Sequence, residues 1–269
     1  SQRLGIDQSK VLNLATDSGG PWEELLICKK YPSLFQSSPL IIIEVEPWMF
    51  NKNGIHPIYK IPWPFESHFY TWASFQERLE FPDLETKVFL LTDYFWPFSE
   101  RRSLTAWISI LHKIVTGEHV EPQLSIPIYH YSMKAYQSLA NDPNFFPYQI
   151  AQDHLNNFEF AEIKAQYFKR LISLLERYSN NIILLQPPVR QQYMEVIYNN
   201  AEYLTTYMKV LEFMHSLENQ NVHSIIWETS QDCGLDDSIF VDYGHFNIRG
   251  AYIFTQRLFD EMKKRGLIQ

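Results

Sequence analysis

Asp242 and His245 stand three positions apart in the stretch Val241-Asp242-Tyr243-Gly244-His245-Phe246-Asn247-Ile248-Arg249-Gly250. In a turn, a carboxylate at that spacing can reach the imidazole Nδ1 and leave Nε2 to move a proton, which is the acid-base half of a hydrolytic triad. Asp-x-x-His also arises by chance. The competing reading has Asp242 cap the next helix while His245 packs against it.

Three further groups have the residue types for chemistry. In Asp17-Ser18-Gly19-Gly20-Pro21, adjacent glycines ahead of a helix present backbone N–H groups suited to an oxyanion, with Gly19 as donor and Ser18 as a possible nucleophile. The same residues also fit a simple turn with Asp17 or Ser18 as helix cap. Arg190 follows Gln186-Pro187-Pro188-Val189 and can bind a substrate carboxylate or sugar hydroxyl, or lie solvated on the surface. Glu44 and Glu46 flank Val45 and point toward the same rim. The other histidines have no zinc-like spacing, and neither a Walker loop nor a dinucleotide fingerprint occurs, so no metal or organic cofactor is expected.

These residues need elements to position them. Residues 10–15 read as a strand, 22–30 as a helix and 40–45 as a β-branched core strand ending at Pro47-Trp48. A helix over 158–178 feeds a strand at 182–185, a helix over 201–220 precedes a strand at 222–227, and a last helix spans about 249–265. Helices alternating with strands are the pattern of a parallel α/β sheet, whose ligands bind beyond the carboxyl ends of the strands. Residues 52–156 are proline-rich and irregular, with one helix expected at 104–115; about 100 residues is too long for a loop, so this segment reads as a mainly helical insertion. The expectation is one domain over 1–269.

The composition narrows the function classes. A net charge of -8 with no basic run disfavours nucleic acid and anionic membrane surfaces. The 16% aromatic share suits a large aromatic core or a sugar-binding cleft. Cys28 and Cys233 have no metal spacing and do not fix the redox compartment. No apolar run is long enough to span a bilayer. Ser1 to Gly5 carries neither initiator methionine, signal nor anchor, so the expectation is a processed product or fragment, with membrane attachment only through a segment outside this chain. Nothing in the sequence sets the oligomeric state.

The order of these features resembles the SGNH, or GDSL-like, hydrolase superfamily, in particular its polysaccharide O-acetylation branch. The block Asp242, His245, Asn247 and Gly250 resembles the family's last block. Asn13-Leu14-Ala15 through Pro21-Trp22-Glu23 resembles its second block, and Glu46 to Asn51 is a degenerate third block with Asn51 in the place of the family asparagine. On this alignment the first block, with the nucleophilic serine, lies upstream of Ser1. The competing alignment makes Asp17-Ser18 the first block and completes a Ser18-His245-Asp242 triad. Asn13, Pro21 and Glu23 favour the former. The resemblance implies a three-layer α/β/α flavodoxin-like parallel sheet and a periplasmic or cell-envelope setting. It implies a serine-dependent esterase or O-acyltransferase whose substrate is a small ester or acylated carbohydrate. His245 and Asp242 would be catalytic, and Gly19, Asn51 and Arg190 would bind oxyanion or substrate. An inactive module that binds glycan or protein is the alternative.

Overall fold

The computed structural model describes residues 20–36, 38–53, 74–79, 155 and 157–268. They form a mixed α/β fold around three parallel strands, β1 (Ile41–Glu44), β2 (Ile182–Gln186) and β3 (Val222–Ile226), hydrogen-bonded in that order. Helix α1 (Pro21–Lys30) precedes β1 and α2 (Glu162–Leu175) precedes β2. Helices α3 (Gln191–Tyr198) and α4 (Ala201–Ser216) carry the chain from β2 to β3, the crossover that parallel neighbours require. Helix α5 (Ile248–Lys264) follows the last strand. Among the described residues, no helix is long and apolar enough to cross a membrane.

All five residues of β2 are buried, which is why its sequence is apolar until Gln186. Alternate side chains enter two cores. Ile43, Ile182, Leu184 and Val222 pack with Leu25, Phe168, Leu171 and Tyr207 from α1, α2 and α4. Ile183, Leu185 and Ile225 pack with Phe254, Leu258 and Met262 of α5. The helices follow the same logic: α2 buries Ala165, Phe168, Leu171, Ile172 and Leu175, the stripe of a period near 3.6 residues.

The expected strands at 40–45, 182–185 and 222–227 and the helices at 22–30, 158–178, 201–220 and 249–265 correspond to observed elements with shifted ends. Helix α3 was not expected. Its first turn, Gln191-Gln192, is polar, and its apolar face, Tyr193, Met194, Val196 and Ile197, is too short to stand out as a periodic run. The expected strand at 10–15, the helix at 104–115 and nearly all of 52–156 lie outside the described residues; within that last segment a short helix, Phe75–Leu79, is described.

Asn247 caps α5, its Oδ1 accepting from Gly250 N at 2.7 Å. Its Nδ2 donates to Ser238 O at 2.6 Å and its backbone N–H to Ile239 O at 2.8 Å. One residue thus starts the helix and ties it to the preceding loop. Gly250 makes the approach possible, because a Cβ there would lie 2.1 Å from Ile239 O and 2.8 Å from Ile239 Cβ. Backbone cannot yield as a flexible side chain would. Gly250→Ala is therefore expected to destabilise the fold by about 2–3 kcal/mol, read as a lower urea midpoint at unchanged m-value.

Candidate active site

Between Phe240 and Phe246 the chain doubles back, joined by an isolated antiparallel bridge and by Val241 N donating to His245 O at 2.8 Å. The Phe240 and Phe246 rings stack at 5.2 Å, and Phe246 stacks on Phe254 of α5 at 4.5 Å, so the hairpin is fixed at its base. Its tip is closed by Asp242: Oδ1 accepts from Gly244 N at 3.0 Å and from His245 N at 2.7 Å. The other carboxylate oxygen, Oδ2, lies 2.6 Å from His245 Nδ1. Asp242 therefore does not cap α5, a place taken by Asn247; it organises its own turn and engages the imidazole.

The two side chains differ in exposure. Asp242 keeps 11% of its side-chain surface and His245 59%, so a nearly buried carboxylate orients an imidazole that a ligand can reach. Burial pushes the Asp242 carboxyl up, but the hydrogen bond and charge of His245 and the two backbone N–H groups outweigh it, and its pKa falls below the ordinary range. His245 moves the opposite way. The Asp242 hydrogen bond raises its pKa against burial, and the charges of Asp242, Glu46 and Glu44 add to the rise.

Glu44 and Glu46, at the carboxyl end of β1, thus lie within electrostatic reach of His245, as their alternation around Val45 suggested. Burial raises the Glu46 carboxyl to about 8, with Glu44 and Asp242 adding and His245 opposing. Glu44 keeps an exposed surface, yet the protein packed around it still raises its pKa. Glu24 on α1 lies beside the same acidic group: burial, then Glu23 and Glu44, raise it to about 8, and its Oε2 is buried with no hydrogen-bond partner among the described residues.

Arg190 serves this hairpin in the structure. Its backbone N–H donates to Tyr243 O at 2.8 Å and its Nη2 to Phe240 O at 3.2 Å, so it joins the end of β2 to both arms of the turn. Sequence reading offers substrate or oxyanion binding, or a solvated surface position, for Arg190; in the structure one guanidinium nitrogen bonds the hairpin backbone. Asn51 is fully buried, and its Oδ1 accepts from Asn53 N and Glu159 N, both at 3.1 Å. It stitches the segment after β1 to the start of α2. Ser18 and Gly19 lie outside the described residues. The neighbouring Gly20 N–H donates to Glu23 Oε2 at 3.1 Å, so that amide is held by the side chain three residues on, one half of a capping box at the head of α1.

Beside the hairpin, at the carboxyl ends of β1 and β2, a small pocket is lined by Glu46, Trp48, Gln186, Tyr193, Met194 and Tyr243 among others. Tyr243 connects it to the dyad: its ring stacks on Tyr193 at 5.1 Å and meets the His245 ring edge-on at 5.7 Å. Behind the pocket, Gln186 Nε2 donates to Tyr207 Oη at 3.0 Å, and Tyr207 donates to Glu228 Oε1 at 2.9 Å, while Tyr198 donates to Glu228 Oε2. Sequence reading gave neither the tyrosine pair nor the part of Gln186 in this wall. A polar residue directly after four buried apolar positions was the only local sign. Among the described residues, no three metal-binding side chains cluster.

No known family, curated protein or solved structure matches this chain.

The acidic group makes stability depend on pH with a definite sign. Glu24 and Glu46 ionise near 4.5 when unfolded and near 8 when folded. Their contribution is full below 4.5 and is lost as pH rises through about 8. The raised pKa of His245 acts in the same direction, whereas Asp242 contributes above 3.8 and loses its share only as pH falls through its depressed pKa. The melting temperature is expected to decline as pH rises from 4.5 to about 8. Glu24→Gln and Glu46→Gln should each flatten that decline, measured by calorimetry across the range. A flat wild-type profile would contradict the placement of these carboxyls.

Proposed function

We propose that this chain is an SGNH-like hydrolase module of the three-layer flavodoxin-like type, acting on ester-linked acyl groups, with acetyl on a cell-surface polysaccharide as the favoured substrate class. The observation that carries the reading is the 2.6 Å contact between Asp242 Oδ2 and His245 Nδ1 at the carboxyl edge of a parallel sheet. Asp242 has its other oxygen satisfied by two backbone N–H groups, so it holds one orientation and one imidazole tautomer. Helices on both faces of the sheet support the finer fold.

In this mechanism a serine hydroxyl attacks the ester carbonyl as His245 Nε2 accepts its proton. The tetrahedral oxyanion collapses, the C–O bond to the leaving group breaks, and His245 returns the proton to the departing oxygen. Water or a sugar hydroxyl then gives its proton to His245 and attacks the acyl-serine, and the serine recovers a proton as it leaves. Asp242 orients the ring and stabilises the imidazolium without taking the proton. Ser18 fills the nucleophile's place on one of the two alignments. Gly19 is the proposed oxyanion donor. Arg190 acts as a positioning residue through the hairpin carbonyls.

Because His245 must be neutral to accept a proton and its pKa is raised, ester hydrolysis is expected to climb with pH through an apparent pKa above 6.5. Hydrolysis of p-nitrophenyl acetate and labelling by a fluorophosphonate would measure this. His245→Ala should cost about 10²–10⁴-fold in kcat. Asp242→Asn should lower the rate and move the apparent pKa down toward 6.5. Equal turnover in wild type and His245→Ala would end the proposed mechanism. If the wild type neither turns over ester nor takes up the probe, the chain is a binding module that uses the aromatic wall of Trp48, Tyr193 and Tyr243.

A further inference from the structure

Tyr243 stands at the tip of a surface hairpin, between Asp242 and the exposed His245, yet only 8% of it is exposed. Side chains at such a tip are ordinarily solvated. Here α3 removes the water: the Tyr193 ring, itself buried, stacks on Tyr243 at 5.1 Å with 22° between the planes. The Arg190 N–H, at the head of the same helix, donates to the Tyr243 carbonyl at 2.8 Å. Ring and backbone of Tyr243 are thus both tied to α3. So held, the phenol ring meets the imidazole of His245 at 5.7 Å with 76° between the planes.

A hydrogen bond fixes one atom of a ring and lets the ring pivot about it. Asp242 Oδ2 fixes His245 Nδ1 at 2.6 Å, and the imidazole keeps 59% of its surface in solvent, which cannot set its plane. The direction of Nε2 follows from that plane. A contact at a fixed angle supplies it, and edge-on aromatic pairs with centroids about 4.5–7 Å apart are attractive. The contact is firm because Tyr243 cannot turn aside: Tyr193 covers it, and close-packed side chains yield little.

We infer that Tyr243 is a positioning residue for His245, in which the Tyr193–Tyr243 stack sets the imidazole plane while Asp242 sets the position of Nδ1, so that the two together aim Nε2 at the rim. The effect on turnover rests on the acyl-transfer reading of the same rim. The ring contact does not, and it is measured on the imidazole in the absence of substrate.

The full chain, with ¹⁵N-labelled histidine, is titrated by NMR as wild type, Tyr243→Leu, Tyr243→Phe and Tyr193→Leu. In wild type the neutral His245 ring should show one tautomer, with the proton on Nδ1. Tyr243→Leu should bring the shifts of the two ring nitrogens together and move the pKa down toward 6.5, because the Asp242 hydrogen bond that chiefly raises it is no longer held in line. Asp242, Glu46 and Glu44 are present in every variant, so their charges do not explain the change. Tyr243→Phe keeps the ring and should restore both signals. Tyr193→Leu leaves Tyr243 in the sequence and removes its support, so it should move the same signals in the same direction. With p-nitrophenyl acetate, Tyr243→Leu should lower kcat about two- to ten-fold at unchanged KM.

A residue that only stabilised the fold would lower the melting temperature and leave the imidazole signals alone. A folded Tyr243→Leu with wild-type nitrogen shifts and pKa at His245 would therefore overturn the assignment. Should that variant not fold, unchanged signals in Tyr193→Leu would overturn it equally. Imidazole signals that move as expected in a chain that turns over no ester support the positioning and count against the hydrolase reading alone. Turnover that depends on His245, with an imidazole indifferent to both tyrosines, keeps the hydrolase and sinks the positioning.

Discussion

Five consecutive residues of β2, Ile182 to Gln186, are buried, so no water satisfies their backbone and a neighbour must hydrogen-bond along each side. Parallel pairing with β1 and β3 meets that demand and sends all three strands out through one edge. Polar side chains from all three strands therefore collect at that edge: Glu44 at the end of β1 and Glu46 just beyond it, Gln186 at the end of β2, Glu228 after β3.

The edge is strongly acidic, and that is its main electrostatic property. Glu44, Glu46 and Asp242 lie within electrostatic reach of one imidazole, Glu24 lies within reach of Glu44, and burial opposes the ionisation of all four. Asp242 alone among the four is held below the ordinary carboxylate range, because it receives two backbone N–H bonds as well as His245. Local geometry thus sorts four similar side chains into one fixed anion and three that retain protons more readily. His245 is the counter-charge to the group, which explains why more than one carboxylate raises its pKa.

The strands were legible as short continuous apolar runs, which buried parallel strands require, and the long helices through a period near 3.6. The Asp242–His245 contact was legible for a different reason: both residues belong to one turn, so spacing fixes geometry. What sequence could not give depends on distant partners. Arg190 reads as either a substrate-binding or a surface arginine, because its bonds to the carbonyls of Phe240 and Tyr243 join residues far apart in the chain. Gln186 reads as the end of a strand until Tyr207 and Glu228 orient its amide. Helix α3 was invisible because eight residues give barely two turns of pattern. The glycine-rich stretch around Ser18 lies outside the described residues, and its part in the site rests on the resemblance alone.

The Asp242 turn joins residues three apart, whereas the adjoining pocket joins Glu46, Gln186 and Tyr243 from separate regions of the chain. Closing a short turn costs little chain entropy, and closing long loops costs more. The two halves of the rim therefore differ in folding order and in persistence. The Asp242–His245 turn can assemble locally and survive partial opening of the sheet, while the pocket requires the strands to be in register. Under mild denaturation the chain would lose the pocket before it lost its oriented imidazole.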